Sequence, residues 1–122
     1  MTNKVNNKVL LIDDDITIKE FFREFFKEFK IDYDLTSDPK EALEYICKSS
    51  YSLILLDIFL EGADGRDYFP KIRHSCPNSK IVLFTAKDDS WIEQNFDEHV
   101  EYLQKPFRLD QLLQLIKDND LL

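Results

Sequence analysis

Of the 122 residues, two are glycine, two cysteine, one methionine and one tryptophan. Each scarcity removes a class of function. Gly62 and Gly65 alone cannot build the glycine-rich loop that cradles a nucleotide's phosphates. Cys47 and Cys76 have no metal-ligand spacing, and each falls where a helix should end, so they read as reduced thiols. Long hydrophobic runs are absent too: the polar start "MTNKVNNK" leads into only four apolar residues, too few for a signal peptide or a membrane span. The default expectation is therefore a cytoplasmic chain with no membrane contact. Basic residues are outnumbered, 16 Lys and Arg against 24 Asp and Glu for a net charge of -8, which disfavours direct binding to nucleic acid. No repeat, low-complexity stretch or linker breaks the chain, and the length suits one domain.

What is present is a regular alternation. Short apolar runs occur at "KVLLI" (8–12), "IDYDLT" (31–36), "SLILLD" (52–57), "KIVLF" (80–84) and "EYLQ" (101–104). Helical patterns lie between them. Ile18, Phe21, Phe22, Phe25, Phe26 and Phe29 form one apolar stripe, read as core, with Asp15 placed to cap that helix. Asp38, Pro39 and Glu41 give the N-cap, first position and capping box of a second. A third spans roughly Gly65 to Cys76, a fourth follows "KDDS" (87–90), and a fifth turns Phe107, Leu109, Leu112, Leu113 and Ile116 inward. Trp91, early in the fourth helix, reads either as an exposed anchor or as half-buried packing. Five strand–helix units imply an α/β fold: a doubly wound, five-stranded parallel sheet covered on both faces. In such sheets sites form at the carboxyl ends of the strands, where strand order reverses.

Strand one ends in "VLLIDDD", four residues that want burial followed by three carboxylates that do not. One aspartate suffices to cap a helix, so Asp13, Asp14 and Asp15 together ask for a cation. Asp57 ends strand three, Thr85 and Ala86 end strand four, and Lys105 and Pro106 follow strand five. Hard oxygen donors of this kind suit Mg²⁺. Taken singly, Thr85 is an ordinary strand end, Lys105 an ordinary surface lysine and Tyr102 an ordinary packing aromatic. Their meaning lies in the combination.

That combination resembles the receiver domain of the two-component response regulators. The resemblance rests on "IDD" (Asp13, Asp14), "LLDIFLEGADG" (Asp57), "FTA" (Thr85, Ala86) and "YLQKPF" (Tyr102, Lys105, Pro106), in that order over about residues 8 to 118. It implies a flavodoxin-like (βα)5 fold with strand order 2-1-3-4-5, one receiver domain over 1–122, and no output domain in this stretch of chain. By the same resemblance Asp57 is the phosphoacceptor, taking phosphate from a histidine kinase or histidine phosphotransfer protein. Asp13 (through water), Asp14, Asp57 and the backbone carbonyl of Phe59 hold Mg²⁺, for which Mn²⁺ can substitute. Lys105 contacts the transferring oxygens and pairs with Asp57 at rest, through a Lys105–Pro106 peptide that the family usually has as cis. Thr85 and Tyr102 form the switch, and Ala86 leaves the phosphate room. The output is altered binding to a downstream protein target, as a monomer or a phosphorylation-dependent dimer, so the chain is a phosphoacceptor switch and not an enzyme acting on other substrates.

Three features depart from the family. Glu61 stands where most members have proline, "DEHVEY" replaces the usual Gly-Ala before strand five, and Thr85 and Lys105 lie only 20 positions apart. A shortened or reshaped fourth helix is expected, on the family's usual output face. Phe59 and Lys87, two residues beyond Asp57 and Thr85, flank the approach of water to the phosphate. Two rivals are weaker. A haloacid-dehalogenase-type phosphatase needs an acid two residues past the nucleophile, where this chain has Phe59, and a non-phosphorylated interaction module would not need the full set of acids, hydroxyl and lysine.

Overall fold

Val9, Leu10, Leu11 and Ile12 are all fully buried, a pattern possible only for a strand covered on both faces. The computed structural model describes residues 8–97 and 99–121; the N-terminal residues 1–7, read above as too polar for a leader, lie outside the described residues, as does Glu98 of "DEHVEY". In chain order the elements begin β1 (Val9–Ile12), α1 (Ile16–Glu28), β2 (Tyr33–Thr36), α2 (Pro39–Lys48), β3 (Leu53–Asp57), β4 (Phe59–Leu60) and β5 (Ala63–Asp64). They continue with α3 (Gly65–Ser75), β6 (Lys80–Thr85), α4 (Asp89–Asn95), β7 (Glu101–Gln104) and α5 (Leu109–Asp118). Five strands pair in parallel in the order β2-β1-β3-β6-β7. Counting only those five, this is the expected 2-1-3-4-5 order.

Strand periodicity of two sorts the core into two layers. Leu10, Ile12, Ile54, Leu56, Ile81 and Leu83 face Ala42 and Ile46 of α2, Phe69 and Ile72 of α3 and Ile92 of α4. Val9, Leu11, Leu53, Leu55, Val82 and Phe84 face Phe22, Phe25 and Phe26 of α1 and Leu112 and Ile116 of α5. Each such burial contributes about 1.5–3 kcal/mol, which fixes the register, since a one-residue slip would turn both layers inside out. Cys47 and Cys76 are free thiols, as expected. No helix among the described residues is long and apolar enough to cross a membrane.

Several local expectations need correction. The α1 stripe is narrower than six residues: Phe21 is 40% and Phe29 37% exposed, because one sheet face has room for Phe22, Phe25 and Phe26 and the others ride at its margins. Leu109, at the start of α5, is 54% exposed, and Phe107 precedes the helix, stacking on Phe84 at 5.3 Å. Glu41 does not close a capping box on Asp38. Its carboxylate accepts the Thr36 hydroxyl at 2.7 Å, and that hydroxyl's oxygen accepts the Asp38 N–H at 3.1 Å. The strand ending in Thr36 sits close enough to take over the role. Between β3 and α3, where no strand was expected, Phe59–Leu60 and Ala63–Asp64 pair antiparallel as a small hairpin. The fourth helix, by contrast, is short as expected, seven residues capped by Asp88.

Candidate functional site

The register decides who meets whom. Ile12 pairs with Leu56, so the next residues along, Asp13 and Asp57, stand side by side at the ends of β1 and β3. Asp57 in turn pairs with Phe84, and Thr85 with Gln104, which brings Thr85 and Lys105 to the same edge. Lys105 is anchored by its N–H donating to the Thr85 carbonyl at 2.7 Å, and the Lys105–Pro106 peptide is cis.

The three consecutive aspartates divide the work. Asp15 is exposed and caps α1, accepting the N–H groups of Thr17 at 2.8 Å and Ile18 at 3.2 Å. Asp13 is fully buried; one oxygen accepts the Asp15 N–H at 2.9 Å and the other faces the Lys105 ammonium at 3.3 Å. Asp14 is half-buried, and its Oδ2 accepts the Glu61 N–H at 2.6 Å. Asp57 is buried, with Oδ1 accepting the Phe59 N–H at 3.3 Å and Oδ2 3.5 Å from Lys105 Nζ. Lys105 thus bridges Asp13 and Asp57, sitting slightly closer to Asp13.

Burial raises the Asp57 carboxyl to about 6, and the neighbouring Asp13 charge adds to the rise. Lys105 and the Phe59 N–H oppose it without cancelling it. Carboxylate oxygens of Asp13, Asp14 and Asp57 all lie within 4.8 Å of one another. Three acids against one ammonium, two of the acids buried, form a donor set with an excess of negative charge that a hard divalent cation fits.

Thr85 is buried, and its hydroxyl oxygen accepts the Lys87 N–H at 3.0 Å, shaping the turn after β6. Ala86 is exposed at the cleft's edge, its carbonyl accepting from the Gln104 amide at 3.3 Å. Tyr102 is half-buried beside the layer containing Leu83. Phe59 is 46% exposed, its ring 5.4 Å from that of Trp91, with the Lys87 ammonium 5.9 Å from its centroid. Trp91 is therefore half-buried packing. Pro106 is exposed.

Two residues to which sequence reading assigned no part in the site matter here. Gly65 begins α3 where a Cβ would meet the Ile58 Cα at 2.7 Å, the Ile58 carbonyl at 3.0 Å and the Asp57 carbonyl at 3.1 Å. A glycine eight residues after an acid-ended strand, in a chain with so few, was the available signal. Arg66 grips Asp64 and reaches α4, a contact with no local signature.

Known proteins share this family and fold. The response regulator receiver domain family model matches residues 9–117. The transcriptional regulatory protein DltR of Streptococcus agalactiae is 30% identical over 112 residues, covering 90% of this chain and 50% of that protein. The response regulator ArlR of Staphylococcus saprophyticus is 29% identical over 115 residues, with the same coverage. The chain thus spans about half the length of the curated relatives it matches. A two-component response regulator from Clostridium difficile superposes with a TM-score of 0.82 at 31% identity, covering 93% of this chain and 94% of that one. The receiver domain of a sensor histidine kinase from Pseudomonas aeruginosa, solved with a magnesium ion in its active site cleft, shares the fold with a TM-score of 0.79 at 21% identity, covering 93% and 97%.

Proposed function

The chain belongs to the response regulator receiver domain family, and on that premise we propose that Asp57 accepts a phosphoryl group from a phosphohistidine of a histidine kinase or phosphotransfer protein. With its carboxyl near 6, Asp57 is mostly ionised at neutral pH and able to attack phosphorus. A P–O bond to Asp57 forms as the P–N bond to the donor breaks, and the electron pair leaves on the imidazole. Asp13, Asp14, Asp57 and the Phe59 carbonyl would hold Mg²⁺, or Mn²⁺ in its place. The ion supplies the positive charge that lets one anion approach another. Lys105, which contacts both buried acids, adds its charge to the transferring oxygens.

Thr85 reads the result. Its hydroxyl oxygen already accepts from Lys87, and its proton is available to a phosphoryl oxygen. Drawing that hydroxyl toward Asp57 moves the turn after β6, and Tyr102, already half-buried against the same layer, rotates into the space released. Ala86, bearing only a methyl group, does not obstruct the phosphate. The changed surface alters binding to a downstream protein. The observation that carries this reading is the Lys105 ammonium set between the buried carboxylates of Asp13 and Asp57.

A small phosphodonor with Mg²⁺, followed by intact-protein mass measurement, tests it. Wild type should gain one phosphate and Asp57→Asn none. An unlabelled wild type, or a labelled variant, overturns the assignment.

A further inference from the structure

Asp14 is the least buried of the three clustered acids, and what holds it is a single N–H from Glu61, in the turn joining β4 and β5. That hairpin has two residues per strand and does not join the main sheet. Alone it would be marginal. Its far end runs into β3 and α3, where the Gly65 N–H donates to the Ile58 carbonyl and the Arg66 N–H to Asp64 at 2.9 Å, and the Arg66 side chain ties that end to α4. Arg66 donates through Nε to both oxygens of Asp64, at 3.1 and 3.0 Å, and through Nη2 to Asp64 Oδ2. Its remaining nitrogen, Nη1, crosses to α4 and donates to Asn95 Oδ1 at 2.8 Å, while the guanidinium lies 5.4 Å from the Trp91 ring centroid. Asn95 donates back to the Trp91 carbonyl at 2.8 Å. The Trp91 ring packs on Phe59, which opens the hairpin. The contacts close a ring from Phe59 through the hairpin to Asp64, Arg66, Trp91 and back to Phe59.

Two explanations compete for this ring. As a stability device it is weak, because an exposed ion pair contributes roughly 0–1 kcal/mol. As a geometric device it is strong, because the rigid fork of arginine spans Asp64 and Asn95 at once, which the point charge of lysine cannot do. We propose that Arg66 is a positioning residue for the acid cluster: by fixing the β4–β5 hairpin against α4 it holds the Glu61 N–H that orients Asp14, and so sets how tightly the cluster takes a divalent cation. The inference rests on reading Asp13, Asp14 and Asp57 as the Mg²⁺ site. It extends that reading to a residue outside the cleft.

The direction of the effect separates positioning from bulk charge. Removing a positive side chain near a cation site should tighten Mg²⁺ by simple electrostatics. Releasing the hairpin should weaken it. Calorimetric titration of the full chain with Mg²⁺ is the measurement, for wild type, Arg66→Ala and Arg66→Lys. Outer-shell partners of a metal site are worth about 10–100-fold in affinity, and Arg66 acts one contact further out. Both variants should therefore bind roughly 3–10-fold more weakly. Their emission from Trp91, the only tryptophan, should shift to the red as the ring opens. Unchanged or tighter Mg²⁺ binding in Arg66→Ala overturns the inference, as does full rescue by lysine. Should Arg66→Ala fail to fold, Asn95→Ala removes one arm of the ring and must shift affinity the same way. No Mg²⁺ uptake by wild type would instead sink the underlying site assignment.

Discussion

At the residue scale, Asp57 carries a cost that its surroundings impose. Its carboxyl is lifted from the ordinary 3.8 to about 6, first by burial and then by Asp13. Below about pH 4 both folded and unfolded chains hold this proton. Between about 4 and 6 the unfolded chain releases it while the folded chain keeps it, so folding loses stability as pH rises through that window. Above 6 the full penalty applies. Asp57→Asn has no such penalty. In EDTA, the variant's stability advantage should grow from near zero at pH 4 to on the order of 1–3 kcal/mol at pH 7. Urea unfolding at successive pH values checks this, and an advantage independent of pH would refute it. Residues of this kind were legible in the sequence because "VLLIDDD" and "LILLD" place acids directly after buried runs. That Asp14 gives an oxygen to Glu61 was not legible, since the two lie 47 positions apart and the donor is a backbone N–H, which every residue but proline carries.

At the element scale, α3 can begin where it does only because Gly65 lacks a side chain. A methyl group there would stand 2.7 Å from the Ile58 Cα and about as close to two backbone carbonyls, none of which can move aside as a flexible side chain would. Gly65→Ala should therefore cost about 1–3 kcal/mol, read from the urea midpoint. It should also disturb the Asp57 carbonyl, one of the groups it would crowd. A midpoint within error of wild type would show that the α3 start relaxes freely. The longer elements were readable from periodicity, which reports one buried face and little else. Periodicity could not say that the α1 stripe would outrun the sheet and leave Phe21 and Phe29 at its margins. Nor could it find β4 and β5, since two residues hold a single alternation. Glu41 failed as a capping-box partner because Thr36, brought in by the fold, offered a better donor.

At the scale of the whole molecule, strand order and layering were legible because near-continuous apolar runs admit only a sheet buried on both faces. What the runs do not encode is the traffic between α3 and α4 through Arg66, Trp91 and Asn95, which joins side chains far apart in the chain. The acid cluster also links the whole fold to its ionic surroundings. Asp13 and Asp57 are fixed to β1 and β3 at the centre of the sheet, and Asp14 to the hairpin, so unfolding parts Asp57 from the adjacent pair Asp13 and Asp14 and breaks up the cluster. A cation that binds only the assembled cluster stabilises the folded state by RT ln(1 + [L]/Kd): about 1.4 kcal/mol at tenfold excess and about 2.7 kcal/mol at a hundredfold. Wild type should accordingly gain about 1.4 kcal/mol per decade of free Mg²⁺ above its Kd, in urea unfolding at constant ionic strength. Asp14→Ala should flatten that slope while leaving the metal-free protein folded, because Asp14 is half-buried and contributes no core contact. Constant ionic strength matters because a net charge of -8 is screened by any salt, and that effect would survive in the variant. Equal slopes in the two proteins would mean that Mg²⁺ acts on the diffuse surface charge and not at the ends of β1 and β3.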